Sequence, residues 1–286
     1  MTAVADEPDE LDEDKTNGLS AYLRSRTWRH DEAHLCTRLD LRPDLVDAGG
    51  ALRLGAIVFA ADAATGIQSG LAVLDDDLWI VTTDLSVVLA EPVTVGPVRI
   101  DTEVVRVGAT TVVATLEAWD EGAGRRVGAG TATGRPFSFD FDRRYLDFPI
   151  GVELTHGDFV PPTDVPLAER VGFRPVGEDG SMEVALRPWL LNPWGILHGG
   201  ATACLVEEAA LAAASAGSGR PARAHSALLR YLAPGRAGPM QARPRVHASA
   251  GGRHVVQVEV RDLGNRGGDD RGRLCSVATV EAVDLD

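Results

Sequence analysis

The chain has 286 residues, a formal net charge of −14 and 44% hydrophobic residues, which is typical of two ordinary domains with buried cores. An acidic chain without a basic stripe argues against a nucleic-acid partner. No apolar run reaches the ~20 residues that a membrane-spanning helix needs, which argues against membrane insertion.

The beginning of the chain is predicted to be an acidic, disordered tail over residues 1–19. Its central part, ADEPDELDEDK at residues 5–15, has almost no side chains that form a core. The basic-then-apolar pattern of a secretion signal does not occur there. The three cysteines (Cys36, Cys204 and Cys275) are widely scattered, which favours neither a disulfide framework nor a zinc site and predicts a cytoplasmic location.

The rest of the chain is a tandem repeat. RPDLVDAGGALRLGA at residues 42–56 and RPWLLNPWGILHGGA at residues 187–201 agree at seven of fifteen positions without a gap, at an offset of 145 residues. Each copy continues into an apolar, alanine-rich helix and then into strand-like runs of alternating residues. Because one helix has to cover a long sheet, the sheet is expected to curl around it. We predict an α+β protein with domains at residues 20–136 and 155–286 and a linker at 137–154.

Polar residues surround the predicted start of the second helix. Asn192 and His198 precede Gly199 and Gly200, and Glu207 follows seven residues later in an otherwise apolar helix. The first copy differs at the positions of the asparagine, the histidine, the first glycine and the acid, where it has Asp47, Arg53, Leu54 and Asp62. The motif is therefore intact in the second copy and degenerate in the first.

This motif resembles that of the hotdog-fold acyl-CoA thioesterases of the PaaI type. Since it occurs in both halves, the chain resembles a double-hotdog protein, in which the two units of a dimer are fused. The resemblance implies two long helices, each wrapped by a curved antiparallel sheet and packed as a pseudo-dimer. It implies active sites between the units that hydrolyse acyl-CoA or a related acyl thioester, with no cofactor and no metal. It also implies back-to-back association of such chains into a homo-oligomer.

The start of the second helix suits thioester chemistry. Backbone N–H groups at a helix N-terminus are unpaired and carry partial positive charge. Gly199 and Gly200 remove side-chain bulk there, so a thioester oxygen is expected to approach these donors and be stabilised as an oxyanion. We expect His198 to bond the same oxygen or the attacking water, and Asn192 to orient one of them.

A carboxylate would act as general base or nucleophile. Glu207 lies about 10 Å along the helix axis from Gly200, too far for one carbonyl carbon to meet both. Two antiparallel helices would instead place Asp62 at the intact start and Glu207 at the degenerate one, where Asp47 would repel developing negative charge. One working site and one degenerate site are therefore expected. Side chains that assist the carboxylate are predicted on the following strands, at Thr82 or Thr83 for the site with Asp62 and at His225 or Ser226 for the site with Glu207.

Some alternatives stay open. Asp62 would have a structural role if it capped a helix or paired with Arg53, and Glu208 is expected to be solvated or to lie at the flank of the helix. The degenerate first copy leaves room for a non-catalytic acyl-CoA binding or sensing protein. A hotdog hydratase or dehydratase is less favoured, because its signature has an aspartate four or five residues before the histidine, and Trp194 stands four residues before His198. Several arginines would meet CoA phosphates or lie at the surface: Arg220, Arg223, Arg236, Arg245 and Arg253.

Overall fold

A computed structural model of the protein describes residues 18–74, 77–138, 148–155, 165–265 and 270–285. The predicted tail up to residue 17 and residues 139–147 of the predicted linker lie outside the described residues. The helices are α1 (Gly18–Leu23), α2 (Leu54–Leu71), α3 (Leu167–Val171) and α4 (Gly199–Ser218), with 3-10 turns at Pro43–Leu45 and Pro188–Leu190. The α2 and α4 helices are the two that the alanine-rich stretches predict.

The strands of the first half are β1 (Arg26–Arg29), β2 (His34–Leu39), β3 (Leu78–Leu89), β4 (Val98–Val107), β5 (Val112–Asp120), β6 (Arg125–Ser138) and β7 (Glu153–Thr155). Those of the second half are β8 (Arg174–Pro175), β9 (Met182–Val184), β10 (Ala222–Tyr231), β11 (Met240–Ala250), β12 (Arg253–Asp262) and β13 (Arg273–Asp284). Within the described residues they form one antiparallel sheet in the order β7-β1-β2-β4-β5-β6-β3-β10-β13-β12-β11-β9-β8.

The two halves join through β3 and β10, whose register runs from Ser226 opposite Val88 to Arg230 opposite Asp84. The sheet curves around α2 in the first half and around α4 in the second, and the two helices pack against each other. This arrangement confirms the predicted tandem hotdog fold. Part of the predicted linker is ordered, because β7 returns to pair with β1.

Helices α2 and α4 are apolar on almost every side because each is enclosed by a sheet and by the other helix. By length and composition α2 would be able to cross a membrane, but 72% of it is buried inside the fold, as in the core helix of a globular domain. Cys36, Cys204 and Cys275 are buried free thiols. Among the described residues, no group of three or more His, Cys, Asp or Glu side chains is arranged to hold a metal.

Candidate active site

Glycine lets the two long helices approach closely. A Cβ atom added to Gly55 would lie 2.8 Å from the Cα of Cys204, and one added to Gly200 would lie 2.8 Å from the Cα of Phe59. The first turn of each helix therefore meets the residues a turn or two further along the other helix, so the helices run antiparallel. At these two positions glycine makes room for the opposing helix, a reason that the sequence interpretation did not include.

Asp62 on α2 reaches the start of α4. Its Oδ2 lies 3.5 Å from Nδ1 of His198 and would lie 2.5 Å from a Cβ added to Gly199. The hydroxyl of Thr82 on β3 donates a hydrogen bond of 3.0 Å to the other carboxylate oxygen. Only 10% of the Asp62 side chain is exposed. The carboxylate is thus fixed by a strand of its own half and lies beside the first turn of the other half's helix.

His198 is the N-cap of α4. Its Nδ1 accepts a hydrogen bond of 3.0 Å from the Gly200 N–H, and its ring stacks on Phe59 at a centroid distance of 4.8 Å. Since Nδ1 is an acceptor, the neutral ring carries its proton on Nε2. Burial lowers the pKa of His198 below its usual value of 6.5, although Asp62 acts in the opposite direction. The neutral Nε2–H form is therefore the resting form near neutral pH.

The backbone N–H groups in the first turn of α4 are not all bonded in the same way. The Gly200 N–H is committed to His198, whereas the N–H groups of Gly199 and Ala201 lie too early in the helix to find an acceptor within it. These two N–H groups and the positive end of the helix favour a negatively charged oxygen.

Asn192 holds the loop that leads into α4. Its Oδ1 accepts hydrogen bonds from the N–H groups of Trp194 at 3.1 Å and Ile196 at 3.3 Å. In the first copy the Asp47 carboxylate does the same for Gly49 at 2.8 Å and Ala51 at 3.2 Å. This turn, in which a side-chain oxygen binds backbone N–H groups further along the chain, explains why both copies have Asx residues here.

Asp47 is also paired with Arg223 of the second half, by contacts of 2.5 and 3.0 Å. Burial would raise the pKa of Asp47, but Arg223 and the backbone N–H groups lower it overall. Arg223, considered above for CoA phosphates or the surface, is thus engaged in a contact between the halves.

Aromatic side chains hold the same loop from the other half. Trp194 packs against Trp79 and Phe137 of the first half, each with a centroid distance of 6.1 Å. The loop that leads to His198 is consequently held against the first half.

At the start of α2 the corresponding site is filled by Glu207. Its Oε1 accepts the Leu54 N–H at 2.8 Å and its Oε2 accepts the Gly55 N–H at 3.0 Å. The side chain of Glu207 is buried and lies 3.5 Å from Nε of Arg53. The backbone donors that would stabilise an oxyanion at α2 are therefore already bonded to a carboxylate of the protein.

The neighbouring acid corrects one expectation. Glu208 does not face solvent: its Oε1 lies 2.6 Å from the Arg53 guanidinium, and only 18% of its side chain is exposed. Burial raises the pKa of Glu208 and Arg53 opposes that change. Because Arg53 contacts both Glu207 and Glu208, the alternative pairing of Arg53 with Asp62 is wrong.

The other predicted helping groups lie on bulges of the two central strands. The Thr83 hydroxyl donates to the carbonyl of Thr133 at 3.1 Å, at the bulge of β3. His225 lies at the bulge of β10, and Ser226 is opposite Val88 where the halves join. Of the predicted hydroxyl groups, it is that of Thr82 that the structure brings to Asp62.

Sequence analysis did not single out Tyr231. Its hydroxyl donates a hydrogen bond of 3.0 Å to the carbonyl oxygen of Gly199, in the first turn of α4. Burial raises the pKa of Tyr231 well above its usual range, and the nearby Asp62 and Cys204 act in the same direction. After the helices, the two copies align on Pro92 and Pro234, an offset of 142 residues, and one signal in the sequence was that the first copy has Leu89 at the position of Tyr231.

The sequence model of the family described as "Thioesterase superfamily" matches residues 50–126 and 195–268, once in each half and together over more than half of the chain. The chain belongs to the thioesterase superfamily. Each match contains the start of the long helix and most of the strands that follow it. None of the curated proteins matches the chain.

Solved structures with a similar fold include thioesterases of different origin. A protein of Thermobifida fusca YX described as a thioesterase II is 18% identical, with 95% of this chain and 98% of that chain covered and a TM-score of 0.60. The 12:0-ACP thioesterase from Umbellularia californica is 13% identical, with 88% and 94% covered and a TM-score of 0.59. The tesB protein of Mycobacterium avium subs paratuberculosis is 12% identical, with 91% and 96% covered and a TM-score of 0.57. At these identities the likeness establishes the fold.

Proposed function

We propose that this member of the thioesterase superfamily hydrolyses acyl-CoA, or a closely related acyl thioester, at a single site at the start of α4. The observation that carries the proposal is the placement of Asp62. Its carboxylate is held by Thr82 and lies beside the first turn of α4 and His198, where an anion is favoured. A carboxylate and an oxyanion-stabilising helix start thus meet across the interface of the two halves.

The bound thioester would place its carbonyl oxygen at the Nε2–H of His198 and the first backbone N–H groups of α4. As the carbonyl carbon is attacked, negative charge develops on this oxygen, and preorganised donors stabilise it. Neutral histidine suits this role because it donates from Nε2 without a proton having to move. The bond between the carbonyl carbon and sulfur then breaks, and the thiolate that leaves is protonated to the free thiol.

Asp62 has two possible roles in the attack. As general base it takes a proton from water, the water oxygen bonds to the carbonyl carbon, and the proton passes to the leaving sulfur. As nucleophile it forms an anhydride with the acyl group, which water then hydrolyses to the free acid. After a single turnover in ¹⁸O-labelled water, label found by mass spectrometry in the peptide that contains Asp62 would show an anhydride that water attacks at the Asp62 carboxyl carbon, since a general base gains no label.

The proposal is tested by hydrolysis of a panel of acyl-CoAs and acyl carrier protein thioesters, followed through the release of free thiol. Loss of a general base typically reduces the rate by about 10²–10⁴-fold, so the hydrolysis rate of Asp62→Asn should fall by about that factor. Glu207→Gln is the matched control, because Glu207 occupies the equivalent position on α4 and is expected to be dispensable for turnover. Loss of activity in Glu207→Gln with retention in Asp62→Asn would reverse the assignment. Tight acyl-CoA binding without turnover by the unaltered protein would favour the sensing alternative.

A further inference from the structure

A continuous chain of hydrogen bonds ends at His198. The Tyr231 hydroxyl donates to the carbonyl oxygen of Gly199 at 3.0 Å. This carbonyl belongs to the same peptide group as the Gly200 N–H, which donates to Nδ1 of His198 at 3.0 Å. The phenol, the 199–200 peptide and the imidazole therefore form one directional series, with each member donating to the next.

The direction of this series matters for the histidine. A peptide group whose carbonyl accepts a hydrogen bond becomes a stronger N–H donor, because hydrogen bonds in a chain polarise one another. The bond from Tyr231 also fixes the plane of the 199–200 peptide, and so fixes the direction of the Gly200 N–H. A strong, well-aimed donor at Nδ1 of His198 keeps the ring proton on Nε2.

Asp62 acts on the same ring in the opposite sense. Its Oδ2 lies 3.5 Å from Nδ1 of His198 and attracts a proton to that nitrogen. With the proton on Nδ1, the ring would donate to Asp62, and Nε2 would present a lone pair to the thioester oxygen. That arrangement would repel the oxygen that the site has to stabilise. Phe59, stacked on the ring, carries no charge that would decide between the two forms.

We propose that Tyr231 is a positioning residue that, through the 199–200 peptide, holds His198 as the Nε2–H tautomer against the pull of Asp62. This inference rests on the proposed function for its consequence in catalysis, but the tautomer itself is a property of the resting protein. The first copy supports it: where Tyr231 and His198 stand in the second half, the first half has Leu89 and Arg53. The hydroxyl occurs in the half that has a histidine to orient.

The test is Tyr231→Phe, which removes the hydroxyl and keeps the ring. The loss of one hydrogen bond's net contribution corresponds to about a ten-fold fall in kcat. We expect KM to change by less than roughly two-fold, because the Tyr231 hydroxyl is bonded to the Gly199 carbonyl and not placed to hold substrate. The ¹⁵N spectrum of the histidine ring in the resting protein should move from the Nε2–H form toward a mixture with the Nδ1–H form.

Tyr22→Phe is the matched control. The Tyr22 hydroxyl donates to Asp44 at 3.0 Å, within the first half, and its side chain is fully buried. Because its partner is a carboxylate, this variant should lose at least as much stability as Tyr231→Phe and keep both kcat and the His198 tautomer. An equal fall of kcat in both variants would show an effect of stability alone and would overturn the inference.

The outcomes distinguish this inference from the proposed function. If the unaltered protein hydrolyses thioesters and folded Tyr231→Phe keeps both kcat and tautomer, the positioning role is refuted while the function stands. If no thioester is hydrolysed, the function fails, and the ¹⁵N comparison still tests the hydrogen-bond series. Should Tyr231→Phe not fold, the spectrum of the unaltered protein decides, because an Nδ1–H ring there would refute the inference.

Discussion

Replacing Glu207 by alanine should reduce stability strongly and leave turnover intact. The carboxylate accepts two backbone hydrogen bonds at the start of α2, of 2.8 and 3.0 Å, in a buried setting. Hydrogen bonds to a charged group contribute about 1.5–3 kcal/mol each, so their loss should cost roughly 3–6 kcal/mol. Arg53 keeps Glu208 as a partner at 2.6 Å, so no further cost from an unpaired buried charge is expected.

The assay combines urea unfolding with thiol release by the folded protein. Glu207→Ala should unfold at a clearly lower urea concentration, with kcat within about two-fold of the unaltered protein, since the Glu207 side chain bonds to the start of α2, away from the proposed substrate site at the start of α4. Asp62→Ala is the opposite control: it loses one hydrogen bond to a charged group, from Thr82, which contributes about 1.5–3 kcal/mol, together with the proposed catalytic carboxylate. If Glu207→Ala kept its stability and lost turnover, the structural role of Glu207 and the single-site proposal would both be refuted.

Two further predictions concern the groups that hold Asp62 and His198. Thr82→Val removes the hydroxyl bonded to Asp62, so kcat should fall about five- to ten-fold. Thr65→Val is the control: it removes a hydroxyl bonded to the Ala61 carbonyl within α2 and should not change kcat. Equal kcat values in both variants would contradict the role of Thr82. Burial lowers the pKa of His198 below 6.5, so in mildly acidic solution the unfolded chain binds more protons than the folded protein. The free energy of unfolding should therefore fall as the pH drops below about 6.5, with a slope of up to roughly 1.4 kcal/mol per pH unit. Urea midpoints at several pH values between neutral and mildly acidic would show this slope, and a slope unchanged in His198→Gln would assign it to another group.

The fold was predictable because its main signal is long-range and redundant. The same fifteen-residue pattern occurs twice, and each copy contains one apolar helix with more strands than that helix would cover in a flat sheet. The spacing between Gly200 and Glu207 then excludes a site built from one helix, since the rise of about 1.5 Å per residue separates them too far. The antiparallel packing follows from that distance, and the contacts of Asp62 and Glu207 agree with it.

The details of the site were less predictable because they depend on how far side chains reach. The Asn192 oxygen binds backbone N–H groups within its own loop, a local preference of Asx residues that competes with any role toward substrate. Tyr231 contacts Gly199 across 32 residues of sequence, and an aromatic residue at the end of a strand is common for reasons of packing alone. Gly200 was expected to make room for a ligand, but the space beside it is occupied by Phe59.

Both helix starts attract negative charge, and they differ in what supplies it. At α2, Glu207 is long enough to reach two backbone N–H groups and fills the position that an oxyanion would take. At α4, Asp62 has one methylene group fewer and accepts a hydrogen bond from Thr82, a position occupied by Ala224 in the other half. In the proposed reaction, the first backbone N–H groups of α4 are then left for the negative charge that develops on the substrate. The two helix starts thus differ in the length of one acid and in the hydroxyl that holds it, and the longer acid bonds to the backbone N–H groups opposite it.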